Sequence, residues 1–211
     1  MPKLPRSFYL REANTVAPEL LGKLLVHNTP DGPVAGMIVE AEAYVGSRDK
    51  AAHSYPRRRT PRTEVQFGPG GFAYVYFIYG MHTCFNIVTN GPEEPEAVLI
   101  RALEPAWGLD YMAARRKVSS PQMLCSGPGR LCQALGIERS HNGCDLCGDE
   151  LFLLPWQNIP PAQIMVSPRI NVDYAGDCAA LPWRYFIRDN PYLFRVPRRY
   201  TLAASSYKCT F

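Results

Sequence analysis

The sequence predicts a single α+β domain. Strand-like segments come first along the chain, helical segments follow, and further strand-like segments end it, an order typical of this class. At 211 residues the chain is long enough for one full hydrophobic core and marginal for two. Its 20 prolines and 16 glycines are spread throughout, which indicates many short elements joined by ordered loops. We therefore expect residues 1–211 to form one compact domain.

The composition is ordinary for a soluble globular protein. Charged residues make up 20% and hydrophobic residues 46% of the chain, and no apolar run approaches the ~18 residues that a membrane helix needs. The N-terminal segment MPKLPRSFYLRE lacks the apolar core of a secretory signal. The seven cysteines are an odd number and are most simply free thiols in a reducing compartment. We expect an intracellular monomer with no membrane contact.

The N-terminal part predicts a short helix followed by a hairpin. Asn14 or Thr15 can cap a helix that runs through Leu21 and ends at Gly22. The hairpin consists of a strand, a turn with Pro, Asp and Gly, and a return strand, at residues 23–27, 29–32 and 34–44.

The remaining elements alternate with loops. Residues 46–71 contain too much Gly, Pro and Arg for a regular element, and a loop of this length is usually functional or disordered. Short apolar segments predict strands at residues 72–79, 83–89, 97–103, 151–154, 163–166 and 183–187. Two other segments predict helices at residues 107–117 and 126–135, the second capped by Ser126 and ended by Gly136.

Two carboxylates on the return strand are candidates for chemistry. Side chains two residues apart share a face of a strand, so Glu40, Glu42 and Tyr44 point to one side and the alternating apolar residues to the other. A carboxylate in a low-dielectric cleft can be a tuned general base. We favour Glu42 for that role and a structural role for Glu40. The alternatives are a solvated Glu42 on an edge strand, or an acid and base pair of both carboxylates that hydrolyses small glycosides or nucleosides.

Aromatic side chains around the same region predict a binding cage. Tyr44, His53 and Tyr76 could stack on a nucleobase, and electron-poor or cationic bases would bind best. Equally, Tyr74 and Tyr76 could be core residues, and a single His in a loop is more often a local hydrogen-bond partner. Tyr79 precedes Gly80, where we predict a turn; a bulky ring there would be poorly placed for burial and could enter a base stack as a wedge.

The predicted loop carries a local excess of positive charge. Over fifteen residues it has six basic side chains against one acid, Asp49, which gives +5 where the whole chain carries only +4. The four arginines in the middle suit phosphate contacts, which position a protein on DNA without reading its sequence. They are Arg57, Arg58, Arg59 and Arg62. A merely solvated basic loop and a non-catalytic nucleic-acid binding module both stay open on this pattern.

We expect neither a metal nor a cofactor. Cys144 and Cys147 form a CxxC with His141 just before it, but the second CxxC that usually completes a structural zinc site is absent. There is also no G-x-G-x-x-G and no P-loop in the sequence, so nucleotide cofactors have no support.

Several motifs that follow one another along the chain resemble a known family. They are VEAEAY, AAHS, TPR, YVYFIYGM followed by FN, AVLIRALEP, LCSGPGRLCQALGI and PWRYFIRDNPYLFRV. From about Leu20 nearly to the C-terminus, the chain is similar to the alkyladenine (3-methyladenine) DNA glycosylase family. The resemblance implies a curved, mostly antiparallel sheet with peripheral helices and no helix-hairpin-helix. It also implies a repair enzyme that flips out alkylated and deaminated purines of double-stranded DNA and hydrolyses them from the sugar.

The resemblance also implies roles for individual residues. Glu42 of VEAEAY would be the general base, and Arg101 of LIRALEP would help to position the attacking water. The flipped base would lie between Tyr44, His53 of AAHS and Tyr76 of YVYFIY.

Two further residues would act on the duplex and on base choice. Tyr79 of IYGM would fill the gap that the flipped nucleotide leaves, and Asn86 of the FN pair would exclude guanine by crowding its exocyclic amine. No suitably placed lysine nucleophile is evident, so we expect a monofunctional enzyme without strand nicking. The acidic segment GPEEPE before Arg101 departs from the family pattern and could alter contacts with DNA near the site.

Overall fold

An antiparallel sheet organises the computed structural model, which describes residues 1–78, 80, 82–194 and 201–202, the last two by their backbone only. Nine strands lie within these residues: β1 (Leu24–Thr29), β2 (Gly32–Tyr44), β3 (Ala73–Ile78), β4 (His82–Thr89), β5 (Glu96–Trp107), β6 (Leu151–Leu154), β7 (Ile164–Ser167), β8 (Arg184–Ile187) and β9 (Thr201–Leu202). The sheet order is β3-β4-β5-β2-β8-β7-β9, and β1 pairs with both β2 and β6. All of these pairs are antiparallel.

Short helices accompany this sheet. In the described part of the chain they are α1 (Arg6–Tyr9), α2 (Ala13–Leu20), α3 (Leu109–Arg116), α4 (Pro121–Leu124) and α5 (Pro128–Leu135). Helix α2 packs on β2, and α5 packs on β4 and β5. None of the described helices is long and apolar enough to cross a bilayer. The predicted α+β class with a mostly antiparallel sheet is confirmed.

Strand β2 is the central strand of the molecule. It pairs with β1 along its first half, with β5 along nearly its whole length, and with β8 opposite Glu40–Glu42. Both edges of β2 are therefore paired, and Val39, Ala41 and Ala43 enter the apolar core as the alternation predicts. The alternative that Glu42 is solvated on an edge strand is wrong, because its strand has neighbours on both sides and its side chain is fully buried.

The boundary between β5 and α3 differs from the prediction. The predicted strand ended at residue 103 and the predicted helix began at residue 107, but β5 continues to Trp107, where it still pairs with Ala35 of β2. Gly108 then turns the chain with a φ of 69°, and α3 begins at Leu109. A Cβ at Gly108 would lie 2.7 Å from Val34 Cγ1, so this close approach needs glycine as much as the positive φ does.

Helix α5 begins later than predicted. The expected cap, Ser126, pairs instead with Ala102 of β5, and its hydroxyl accepts a hydrogen bond from Arg130 at 3.2 Å. Gly127 precedes the helix, and Pro128 occupies the first turn, where its missing N–H costs nothing. Gly136 ends the helix with a φ of 70°, as predicted.

The long loop between β2 and β3 has more structure than predicted. It contains two short 3-10 turns, Gly46–Arg48 and Glu64–Phe67. Asp49, the single acid of the basic run, is fully buried and accepts hydrogen bonds from the backbone amides of Val45 and Ala51. This buried carboxylate folds the start of the loop back against the sheet.

Candidate active site

A cleft with a cavity volume of about 620 Å³ lies beside β3, β4 and β5. Five of the residues predicted for the site line it: Tyr44, His53, Tyr76, Asn86 and Arg101. They come from four strands and one loop, so the fold brings together what the sequence only suggested. Glu42 lies directly behind this lining with its side chain fully buried.

Three donors hold the Glu42 carboxylate. Its Oε2 accepts hydrogen bonds from the Tyr44 hydroxyl at 3.0 Å and from Arg101 at 3.1 Å, and its Oε1 accepts one from the backbone N–H of Ile170 at 2.8 Å. All three donors belong to residues that line the cavity. Because a carboxylate offers about four acceptor positions, this arrangement leaves capacity for one more donor, such as a water molecule.

Arg101 connects Glu42 to a deeper carboxylate. Its Nε donates to Glu40 Oε1 at 2.8 Å, and its Nη1 donates to Glu42 Oε2 at 3.1 Å. Burial opposes the charged guanidinium, but the carboxylates of Glu42 and Glu40 outweigh it and raise the pKa of Arg101 above its usual value. Arg101 is therefore a permanent cation at the base of the cleft.

Glu40 has the surroundings of a structural residue. Its Oε1 accepts from Arg101 and Arg184, each at 2.8 Å, and its Oε2 accepts from the backbone N–H of Phe194 at 2.8 Å. A general acid must carry a proton on its carboxyl group. Because all of these partners are hydrogen-bond donors, none could accept a hydrogen bond from a protonated Glu40. The geometry therefore disfavours the paired acid and base of a small-glycoside hydrolase.

One wall of the cleft is an aromatic cluster. The rings of His53 and Tyr76 meet edge to face with centroids 4.7 Å apart, and Tyr74 lies 5.1 Å from Tyr76. His53 Nδ1 lies 2.8 Å from the Tyr74 hydroxyl, so Tyr74 orients the histidine. The sequence alone did not distinguish Tyr74 from a core residue. Burial, assisted by the charge of Arg62, lowers the pKa of His53 to about 4. The ring is thus neutral at physiological pH.

Tyr44 is held by a buried ion pair that the sequence did not reveal. The guanidinium of Arg169 lies 4.6 Å from the centre of the Tyr44 ring and donates to Asp49 Oδ1 at 2.9 Å. Burial, followed by the nearby Glu42 charge, raises the pKa of Tyr44 well above its usual value, so its hydroxyl remains a donor. The sequence signal that could have indicated Asp49 is its position as the single acid within a basic run.

Asn86 closes another side of the cleft. It lies on β4 opposite Tyr74, is buried, and donates from Nδ2 to the Tyr74 carbonyl at 3.0 Å. This bond fixes the orientation of its amide, so Asn86 presents a rigid polar edge to the cavity.

The four arginines of the basic loop are exposed, but they are not equivalent. Arg62 lies over the Tyr76 ring at 4.7 Å. Arg59 pairs with Glu64 at 2.7 Å and with Glu93 at 2.9 Å, and Arg57 reaches Glu93 at 3.5 Å. Glu93 belongs to the acidic GPEEPE segment, which therefore contacts the basic loop directly. Arg58 lies beside them in the same loop.

The remaining observations concern one predicted residue, Tyr79, and three residues that were not predicted. Tyr79, predicted as the wedge, lies outside the described residues. Arg184 was not predicted, although it lies inside the aromatic run WRYFI in the same way that Arg101 lies inside the apolar run AVLIRAL. Ile170 and Phe194 contribute backbone amides to the carboxylates, and no sequence pattern indicates such a contribution.

The chain also matches known proteins over nearly its whole length. A family model described as methylpurine-DNA glycosylase (MPG) matches residues 7–191. A protein of Desulfitobacterium hafniense (strain Y51) is 47% identical over 201 residues, which cover 92% of this chain and 98% of that protein. One of Myxococcus xanthus (strain DK1622) is 48% identical over 194 residues, 92% of this chain and 94% of its own. Both carry the name "Putative 3-methyladenine DNA glycosylase". The resemblance noted from the motifs is thereby confirmed, and the chain belongs to the methylpurine-DNA glycosylase family.

Proposed function

We propose that this protein is a repair glycosylase that hydrolytically excises alkylated, 3-methyladenine-type, and deaminated purines from duplex DNA, acting as a monomer. The observation that carries the proposal is the Glu42 carboxylate, which Arg101, Tyr44 and the Ile170 amide hold behind an aromatic cleft. Family membership and the names of the relatives support the same activity.

The cleft receives the base after the nucleotide has rotated out of the duplex. Such rotation costs a few kcal/mol because stacking and pairing are lost. Stacking on Tyr44, His53 and Tyr76 offsets this, since each base that stacks on an aromatic ring gains about 1–3 kcal/mol. An alkylated purine carries positive charge, which the aromatic faces attract, and the neutral His53 does not repel it. The rigid Asn86 amide excludes guanine.

Bond cleavage then follows from the position of the carboxylate. As the glycosidic bond breaks, the sugar gains oxocarbenium character, which an anionic Glu42 stabilises. Glu42 also accepts the proton of the attacking water, and Arg101 helps to position that water. No lysine is among the described residues that line the cavity, which supports water as the nucleophile and a monofunctional enzyme.

Contacts outside the cleft position the duplex. Arg57, Arg58, Arg59 and Arg62 bind phosphates, a sequence-independent interaction that fixes register. Tyr79 enters the duplex and fills the gap left by the rotated nucleotide.

The substitution Glu42→Gln tests the mechanism. We expect the variant to bind duplexes containing hypoxanthine or a methylated purine, but to release free base about 10²–10⁴-fold more slowly, since general-base catalysis contributes that much. Single-turnover assays of free base give the rate, and titration of labelled duplex gives the affinity.

Glu19→Gln is the matched control, because Glu19 is exposed and pairs only with Arg11 among the described residues. We expect it to excise normally. Normal excision by Glu42→Gln would contradict the mechanism. Stoichiometric binding by the wild-type protein without base release would instead identify a non-catalytic binding module.

A further inference from the structure

A second cluster of chemically active side chains lies apart from the cleft. It contains His27 of β1, His141 of a 3-10 turn (Arg139–His141), and Glu150, which directly precedes β6. One ligand atom from each lies within 4.8 Å of the other two. None of the three lines the cavity of the candidate active site, and the function proposed above does not use them.

His27 offers an imidazole nitrogen that is prepared for a ligand. Its Nδ1 lies 2.7 Å from the Leu135 carbonyl. Because a carbonyl can only accept, the proton is on Nδ1 and the lone pair is on Nε2. Among the described residues Nε2 has no hydrogen-bond partner.

His141 and Glu150 complete the cluster. The two histidine rings meet edge to face with centroids 4.7 Å apart, and His141 Nε2 lies 3.7 Å from Glu150 Oε1. His141 Nδ1 accepts a hydrogen bond from the Glu138 backbone N–H at 3.0 Å and lies 3.2 Å from the Glu138 carbonyl. The Glu150 backbone is fixed beside β1 by a 2.8 Å hydrogen bond from Asn28, while its side chain is 63% exposed, which gives an ion access.

We propose that His27 Nε2, His141 Nε2 and the Glu150 carboxylate bind Zn²⁺, with water as the fourth ligand. Two neutral imidazoles and one carboxylate are a ligand set that zinc accepts. Each histidine has its other ring nitrogen beside a backbone carbonyl, the contact that orients metal-binding histidines. Zinc binding at His141 Nε2 would place the proton on Nδ1, which would exchange the hydrogen bond from the Glu138 N–H for one to the Glu138 carbonyl. Tetrahedral coordination needs ligand atoms about 3.3 Å apart. The three atoms lie within 4.8 Å of one another, and rotation of the His141 and Glu150 side chains would close the difference.

The site has a structural role in the fold. The segment that follows His141 is hydrogen-bonded to β3, from the Val75 amide to Asn142 Oδ1 at 2.9 Å and from the Ala73 amide to the Cys144 carbonyl at 2.9 Å. Strand β3 carries Tyr74 and Tyr76 of the cleft wall. A zinc ion would tie this segment to β1 and so stabilise the folded state, since a ligand that binds only the folded form raises its stability.

Zinc titration of the full-length protein tests the proposal. The protein is freed of metal with a chelator, kept reduced, and titrated with ZnCl₂ in a calorimeter, with thermal melts recorded in parallel. We expect one Zn²⁺ per chain and a higher Tm with zinc. His141→Asn and Glu150→Gln should each weaken zinc affinity at least about tenfold and remove the zinc-dependent rise in Tm.

Asp149→Asn is the matched control. Asp149 is the carboxylate next to Glu150, but it pairs with Lys3, so this variant should bind zinc as the wild type does. His27→Gln is less suitable because the buried ring supports the fold.

Two outcomes would overturn the proposal. If the wild-type protein binds no stoichiometric zinc, His141 and Glu150 form only a polar contact. If His141→Asn and Glu150→Gln bind zinc with wild-type affinity, the ion is held without these two residues, for example by the free thiols of Cys144, whose Sγ lies 4.0 Å from Glu150 Oε2, and Cys147.

Discussion

Burial determines the protonation states of the side chains around the cleft. His53 is neutral because desolvation and Arg62 disfavour its charged form, and the Tyr44 hydroxyl keeps its proton beside Glu42. Arg101 remains charged because two carboxylates surround it. A base that enters the cleft therefore meets neutral aromatic rings and hydrogen-bond donors, with negative charge confined to the carboxylates behind them.

The lowered pKa of His53 predicts a pH-dependent stability. Between about pH 6.5 and pH 4 the unfolded chain binds a proton at this imidazole and the folded protein does not, so stability falls as the pH falls through that interval. The loss is at most about 3 kcal/mol. It should be absent in His53→Gln, as measured by urea unfolding at several pH values. If the His53 imidazole, assigned in the NMR spectrum of the folded protein, titrated near pH 6.5, this prediction would be contradicted.

At the level of elements, the basic loop is in contact with an acidic neighbour. Glu93 pairs with both Arg57 and Arg59, which the function proposed above assigns to phosphate binding. Exposed ion pairs contribute little to stability, with a median of about 0–1 kcal/mol. A phosphate can therefore replace Glu93, but the carboxylate still competes with DNA for these arginines. The acidic segment GPEEPE, which departs from the family pattern, therefore lies at the surface where contacts with DNA are expected.

Glu93→Gln should strengthen binding to undamaged duplex. Without the competing carboxylate, we expect affinity to rise a few-fold and the dependence on salt to steepen by up to about one counterion per released arginine. Fluorescence anisotropy at several salt concentrations measures both effects.

Glu94→Gln is the control, because Glu94 lies in the same turn and is exposed, but its side chain pairs with neither arginine. If both variants change affinity equally, net charge alone is responsible and the specific contact with Glu93 has no role.

Across the whole molecule, one buried charge network joins the centre of the sheet to the site. Glu40 of β2 binds Arg101 of β5 and Arg184 of β8, and Arg101 continues to Glu42. Removing one member of a buried ionic network is costly, because the remaining charges stay desolvated without compensation. The network thus couples the position of the candidate base to the stability of the fold.

Glu40→Gln should reduce the free energy of unfolding by about 3–5 kcal/mol. The two arginines would lose one of their anionic partners in the interior. Urea unfolding of the variant and the wild type measures the difference. Glu104→Gln is a suitable comparison, since Glu104 lies on β5 but is only partly buried and accepts a hydrogen bond from Asn190. A loss no greater than that of Glu104→Gln would show that Glu40 is not required for the fold.

The sequence alone determined the fold class, most strand positions and the motifs that identify the family. Alternation in residues 34–44 placed Glu40, Glu42 and Tyr44 on one face, and turn residues such as Gly136 marked where elements end. These features depend on short-range periodicity and backbone chemistry, which a single sequence displays directly. Assignment of roles to Glu42 and Arg101 came from the motifs and remains to be tested.

Only the tertiary structure decided which residues are buried together. It made β2 a central strand, set Arg169 and Asp49 behind Tyr44, and joined Glu93 to the basic loop. It also brought together the cluster of His27, His141 and Glu150, which a search for paired CxxC motifs could not find. The physical reason is that these contacts join residues far apart in the chain. Their burial and charge pairing depend on which elements become neighbours, and local periodicity does not contain that information.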